Sequence, residues 1–379
     1  DRSPETDTFA RSLLELAVAT PSPSGHEAAV VDRLRDAMVE RVDEATVDGV
    51  GNLAIRHGSG PLAVTFLGHV DTVPGVVPVE VHGGALYGRG AVDAKGPLCA
   101  ALAATARMPP RVREALSVRV IGAVGEEAPG SVGARHAVET QPLPDLLVIC
   151  EPSGWDAMTL GYKGHLRLQL ACSRPGGHSA GPDPSAAVHL VWGLGRLFAA
   201  MHAVGGDEEQ GRAFDRIQTT VLALAHEHDG LAERASATVG LRLPPAWPPD
   251  RVRRLVDATD LGEALEVNAI EGVPAVRGAR DGALARAFRI AIRAHGGRSR
   301  TVVKSGTSDW NVVAGTWSVP TLAYGPGDAG LDHAPDEHLE LAEFDSAVEV
   351  VTMVLSRLAQ GAERPSSDRS AWNQSPESV

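Results

Sequence analysis

Short, almost continuously apolar runs, each closed by a histidine or a carboxylate and separated by helical stretches, constrain this chain most. The runs are LAVTFLGHVDTVPG, GRGAVDAKGPL, SVRVIGAVGEEAPG, LLVICEPSG and GLDHAPDEH. They place His69, Asp93, Glu126, Glu127, Glu151 and His333 at strand ends or in the turns that follow. In open α/β sheets, ligands bind beyond the carboxyl ends of the strands, so residues far apart in sequence can meet there. Imidazole and carboxylate are ligand types that zinc accepts. Five candidate ligands plus a spare carboxylate exceed what one tetrahedral ion needs, which points to a two-metal site.

The order of elements sets the fold class. Residues 7–40 read as helix, broken by a Pro-Ser-Pro-Ser-Gly turn. VTFLG and VRVIGAVG read as strands covered on both faces, with PLCAALAATARM as a small-residue helix between them, which is βαβ grammar. From Tyr162 the pattern changes: HLRLQLACSR alternates apolar and polar residues, and a β-α-β-β-α-β run follows. Helical and apolar character of the first kind returns after Gly282. The expected fold is α/β, a catalytic domain with a mixed, mostly parallel sheet and an inserted, ferredoxin-like α+β domain. The expected segments are residues 1–161 and 275–360 for the catalytic domain, 162–274 for the insert, and 361–379 as a disordered Ser/Pro-rich tail. A hinge is expected near Tyr162 and Pro274.

Bulk properties remove other classes. The formal charge of −13 argues against nucleic-acid binding, which leaves a basic footprint. No run approaches the ~20 apolar residues of a membrane span, and DRSPETDTF lacks the marks of a signal peptide. Cys99, Cys150 and Cys172 have no metal-type spacing and read as buried thiols of a reducing compartment, so a cytoplasmic protein is expected. The absence of a GxSxG elbow disfavours a serine hydrolase.

Each motif carries its own chemistry. In GHVDTVPG, Asp71 stands two residues from His69 and can fix its tautomer; a His and Asp in a surface turn is the alternative. GRGAVDAKG is not GxGxxG, because Asp93 occupies the third glycine position. Asp93 suits a shared ligand, and also an N-cap for the following helix. Adjacent Glu126 and Glu127 repel unless something positive lies near, so one can ligate while the other works as general base. An exposed acidic turn is the bland alternative. Glu151 abuts the apolar LLVIC run and must be paired or ligated if buried. His333 is preferred to His338, which is placed on a solvated face. His178 lies in the Gly/Pro/Ser loop CSRPGGHSAGPD, where it has no core to fill and could serve an oxyanion. The remaining histidines read as surface or structural.

Together, GHVDTVPG, GRGAVDAKG, GEEAPG, CEPSG, GGHSAG and DHAPDEH resemble the co-catalytic zinc amidohydrolases and peptidases. That family includes acetylornithine deacetylase, succinyl-diaminopimelate desuccinylase, aminoacylase and glutamate carboxypeptidase. The resemblance spans about residues 10 to 358. It implies two zinc ions, with cobalt as the alternative. His69 and Glu151 would hold one, Glu127 and His333 the other, with Asp93 as the bridge. It also implies Glu126 as general base, Asp71 as the residue orienting His69, His178 as lid histidine, and a homodimer formed through the inserted domain. GRGAVDAKGPL, GYKG and KSGTSDWNVV are similar to the lysine-biosynthesis branch, although Trp310 stands where relatives carry Met. That branch implies release of lysine or ornithine from an acetylated form or from an acidic amino-group carrier protein. Arg242 would pair with a substrate carboxylate, and Lys304, Ser305, Gly306, Thr307 and Ser308 would form a substrate loop. A dipeptidase or carboxypeptidase using the same metals is the competing activity, and a metal-binding inactive regulator the competing class.

Overall fold

The computed structural model describes residues 4–178, 182–205 and 213–362. The chain divides into two units: Asp1–Gly161 with Gly278–Val302 and Ser308–Val379, and Tyr162–Arg277 with Val303–Thr307.

The larger unit is built on a mixed sheet. Its strands run in the order Glu44–Val47, Leu53–His57, Leu116–Ala123, Leu62–His69, Leu146–Ile149, Thr321–Ala323 and Ala157–Tyr162. The centre, from Leu116–Ala123 to Thr321–Ala323, is parallel, with antiparallel strands on either side. The central strands are buried along nearly their whole length, as their unbroken apolar character requires. Helix Lys95–Ala106 is also buried from Lys95 through Thr105, and its alanines admit close packing against helices Pro4–Val18 and Leu341–Ala362. Leu13, Val30, Phe66, Leu98, Val120, Phe288 and Phe344 belong to one continuous core. The apolar runs therefore end at one edge of this sheet, where the polar residues following them can gather.

A small three-stranded sheet is not legible in the sequence pattern. It joins Glu80–His82, Ala85–Tyr87 and His338–Glu340, with His338 opposite Tyr87. This places the turn leading to Asp93 beside the segment after His333. Rather than standing alone on a solvated face, His338 is half-buried and stacks on Tyr87 with ring centroids 4.6 Å apart.

The smaller unit follows the β-α-β-β-α-β order. Its antiparallel sheet runs Gln218–His228, Ala232–Leu243, Gly164–Pro175, Glu266–Val273, a ferredoxin-like arrangement with the last strand beside the first. Leu166, Leu168 and Leu170 alternate inward and meet Leu190, Leu197 and Val252 of the helices Ala186–Gly205 and Pro249–Ala258.

Two expectations need correction. The closing helix continues through Ala362, two residues into the segment read as a tail; the rest of that segment lies outside the described residues. Among the described residues, one helix, Ala186–Val204, is long and apolar enough by composition to cross a membrane. Its Ala186, Leu190, Leu194, Leu197 and Met201 are buried in the smaller unit's core, while Val188, Val191 and Trp192 on the same helix are exposed.

Candidate metal centre

His69 ends the strand Leu62–His69 and is only 1% exposed. Gly68 precedes it because a Cβ there would meet the Cys150 Cβ at 2.6 Å. The His69 Nδ1 lies 3.0 Å from the main-chain oxygen of Asp71 and 3.5 Å from its carboxylate. An acceptor on that side holds the proton on Nδ1 and leaves Nε2 for a ligand. Asp71 lies beyond the strand, and its carboxylate is largely spent on the opposing turn. It accepts the Glu126 and Glu127 N–H groups, both at 3.0 Å, and the Ser24 hydroxyl at 2.7 Å. Asp71 thus links the segment of His69 to the paired glutamates.

Asp93 stands between two imidazoles. Its Oδ1 is 3.1 Å from His69 Nε2, and its Oδ2 is 3.1 Å from His333 Nε2. Ala94, not Asp93, is the N-cap of the next helix, so the carboxylate is not used for capping. His333 Nε2 also lies 2.9 Å from Glu127 Oε1, and His69 Nε2 lies 3.8 Å from Glu151 Oε1. His69, Asp93 and Glu127 each offer a ligand atom within 4.8 Å of the others. Glu151, two residues past strand Leu146–Ile149, is buried at 7% exposure. The turn carrying Glu126 and Glu127 is made by Gly125 at φ +70, a backbone conformation that favours glycine.

The electrostatics follow from this crowding. Burial alone would lower the His69 pKa, but Asp71, Asp93 and Glu126 hold it well above the ordinary imidazole value. His333 is pushed up to about 9, first by its bond to Asp93. Burial works to raise the Asp93 carboxyl, yet the two histidines bring it below the usual carboxylate range. Glu126 goes the other way. Burial raises it well above the carboxylate range; His69 opposes, and Asp309, Glu151 and Glu127 add to the rise. Without cations, the histidines take up protons to balance these carboxylates. Imidazole and carboxylate donors so arranged fit divalent cations of the zinc type, which would replace those protons.

Several participants carry no local sequence signal. Ser24 comes from the Pro-Ser-Pro-Ser-Gly turn and Glu27 from the N-cap of the helix Ala28–Met38 that follows it, where Glu27 accepts the Gly125 N–H at 3.2 Å. Arg89 and Glu337 lie under Asp93. Asp309 is 2% exposed, with its carboxyl pushed up to about 7, mainly by burial. An N-terminal turn and an acidic residue in DHAPDEH look solvated until the fold is known.

The smaller unit holds the other candidates. His178 and Arg242 are exposed, and Arg242 Nη1 donates to Thr307 Oγ1 at 3.0 Å. Lys304 ends a strand, with its ammonium 5.9 Å from the Tyr162 ring centroid. Ser305 is exposed, and Gly306 and Thr307 are half-buried. Ser308, in the larger unit, is committed to a capping box with Asn311, its hydroxyl accepting the Trp310 N–H at 3.3 Å. Trp310 itself is buried at 4% exposure.

The sequence profile of peptidase family M20/M25/M40 matches residues 65–357, which include every candidate named above. The chain belongs to that family. A LysW-lysine hydrolase of Deinococcus radiodurans is 48% identical over 355 residues, covering 93% of this chain and 98% of the relative. A LysW-lysine/LysW-ornithine hydrolase of Saccharolobus solfataricus is 25% identical over 300 residues, 78% of this chain and 82% of the relative. Among solved structures, an M20 family metallo-carboxypeptidase from Sulfolobus solfataricus superposes with a TM-score of 0.77 at 17% identity. It is matched over 95% of this chain and 100% of its own. A tripeptidase from Staphylococcus aureus gives the same TM-score at 18% identity, over 93% and 99% of the two chains. This M20/M25/M40 member is thus a hydrolase, and the structural likeness shares its fold.

Proposed function

We propose that this chain is a dinuclear zinc hydrolase that releases lysine, or ornithine, from its LysW-bound form in lysine or arginine biosynthesis. The likeness to the Deinococcus LysW-lysine hydrolase across nearly both chains supports the substrate. The observation that carries the chemistry is the convergence of His69, Asp93 and Glu127 within 4.8 Å, with Glu151 and His333 adjoining. His69 and Glu151 would hold one ion and Glu127 and His333 the other, with Asp93 as the carboxylate shared by both. When bound, the ions would supply acidified water and a polarised carbonyl.

The chain's own groups move the protons. Glu126 takes a proton from the water that attacks the amide carbon. As the C–N bond breaks, it delivers that proton to the leaving amine, so no net proton is gained or lost. A base that later serves as acid needs a pKa above the ordinary carboxylate range, and burial among carboxylates shifts Glu126 in that direction. Asp71 holds the Glu126 backbone, His178 donates to the oxyanion, and Arg242 takes a substrate carboxylate in the bidentate manner suited to a guanidinium.

Three buried free cysteines suit a cytoplasmic setting. A homodimer through the smaller unit is favoured by its exposed edge strand Gln218–His228, where Leu222 and Leu224 are 52% and 63% exposed. Sedimentation should show a dimer; a monomer at micromolar concentration contradicts it. The test of function is a hydrolysis panel on zinc-reconstituted protein: LysW-bound lysine and ornithine, their acetylated forms, and dipeptides. Carrier-bound lysine should turn over fastest, whereas preference for dipeptides would move the chain to the peptidase activity.

A further inference from the structure

Glu337 is 1% exposed, and no part of the reaction uses it. Its Oε1 accepts two successive backbone N–H groups, from Val92 at 2.9 Å and from Asp93 at 3.1 Å. Its Oε2 receives Arg89 Nη1 at 2.8 Å. The same Arg89 nitrogen donates to the Ala334 carbonyl at 3.1 Å. One buried ion pair therefore grips the peptide leading into Asp93 and the carbonyl just after His333. The short strand pairing of His338 with Tyr87 closes the arrangement from the other end.

His333 itself sits at φ +62, in the left-handed region. A non-glycine residue stays there only where its surroundings over-determine it. Its flanks are fixed by the Arg89 bond to Ala334 O and by the Ala334 N–H bond to the Leu331 carbonyl at 3.0 Å. Without those ties, the imidazole that meets Asp93 Oδ2 and Glu127 Oε1 would lose its aim.

We propose that Arg89 and Glu337 are a positioning pair that sets the spacing of Asp93 and His333 and thereby the affinity for metal at that side of the centre. This rests on the metal-centre assignment above. Groups that orient ligands without touching the ion commonly govern affinity, because a ligand free to turn must be ordered anew on binding.

The test is zinc titration of metal-stripped protein, by calorimetry or chelator competition, on the wild type, Glu337→Gln and Arg89→Met. Arg107→Met, which breaks a part-buried ion pair with Glu349 away from the centre, controls for general destabilisation. At least one of the two binding steps should loosen about 10–100-fold in both pair variants, the range typical of losing a ligand-orienting partner. Both steps should be unchanged in Arg107→Met. If Glu337→Gln fails to fold, as judged by circular dichroism, Arg89→Met carries the test. Unchanged zinc affinity in the folded pair variants overturns the proposal, as does an equal loss in Arg107→Met. A wild type that binds a single ion contradicts the dinuclear reading instead, and the pair is then judged on that ion's affinity.

Discussion

In the larger unit, contacts run from His69 to Asp93, from Asp93 to His333 and from His333 to Glu127, and His69 and Glu151 are almost wholly buried. In the smaller unit, His178 and Arg242 stand exposed, as does Ser305. Buried polar groups must find partners inside the chain, so the first group is pre-organised by the fold. The second gains its meaning from what it meets. Substitutions in the first group should therefore disturb metal binding and stability, and those in the second only the handling of substrate.

The largest expected effect tests the boundary between the two. Glu126→Ala should lower kcat by about 10²–10⁴-fold, the usual worth of a positioned general base, while zinc content by emission spectrometry stays at the wild-type level. Undiminished turnover would remove Glu126 from the role given it. His178→Ala should lower kcat by about 10²–10³-fold, as for loss of one oxyanion donor, with melting temperature and zinc content unchanged. A fall in melting temperature would show that His178 is structural, and would break the comparison. Arg242→Ala should act chiefly on KM, raising it about tenfold or more for a substrate with a free carboxylate, since a charge-assisted bond is worth about 1.5–3 kcal/mol. An equal loss for a substrate lacking that carboxylate would count against the pairing.

The smallest effect is on stability against pH, and it belongs to the larger unit alone. His333 is raised from 6.5 to about 9, so it contributes stability that is full below pH 6.5 and fades as pH rises through 9; His69, also raised, acts in the same direction. The raised Glu126 and Glu127 carboxyls act in the same direction, because their folded forms hold protons longer. Metal-stripped protein should thus melt at progressively lower temperature from pH 6.5 to 9. Zinc, which needs deprotonated ligands, should stabilise more strongly at the upper end. A pH-independent melting temperature for stripped protein would mean that the carboxylates and histidines do not share a site.

Much of this was legible in the sequence for a physical reason. Strands buried on both faces must be continuously apolar, so a polar residue closing such a run marks the sheet edge, as with His69 and Glu151. Alternation along Gly164–Pro175 betrayed a sheet covered on one face. The residues that hold the ligands in place were not legible. Glu27, Arg89 and Glu337 act on backbone N–H and carbonyl groups, and Ser24 on the Asp71 carboxylate from 47 residues away, and such bonds leave no pattern of residue types. The small sheet that brings His338 to Tyr87 joins segments some 250 residues apart through strands too short to show periodicity. The apolar helix Ala186–Val204 shows the converse, its composition alone being ambiguous until its inward face is known.

The central claim is most directly tested by anomalous diffraction at the zinc edge from crystals of zinc-loaded protein. Two peaks should flank the Asp93 carboxylate, one beside His69 and Glu151 and the other beside Glu127 and His333. A single peak, or zinc bound elsewhere with these side chains untouched, would contradict the account.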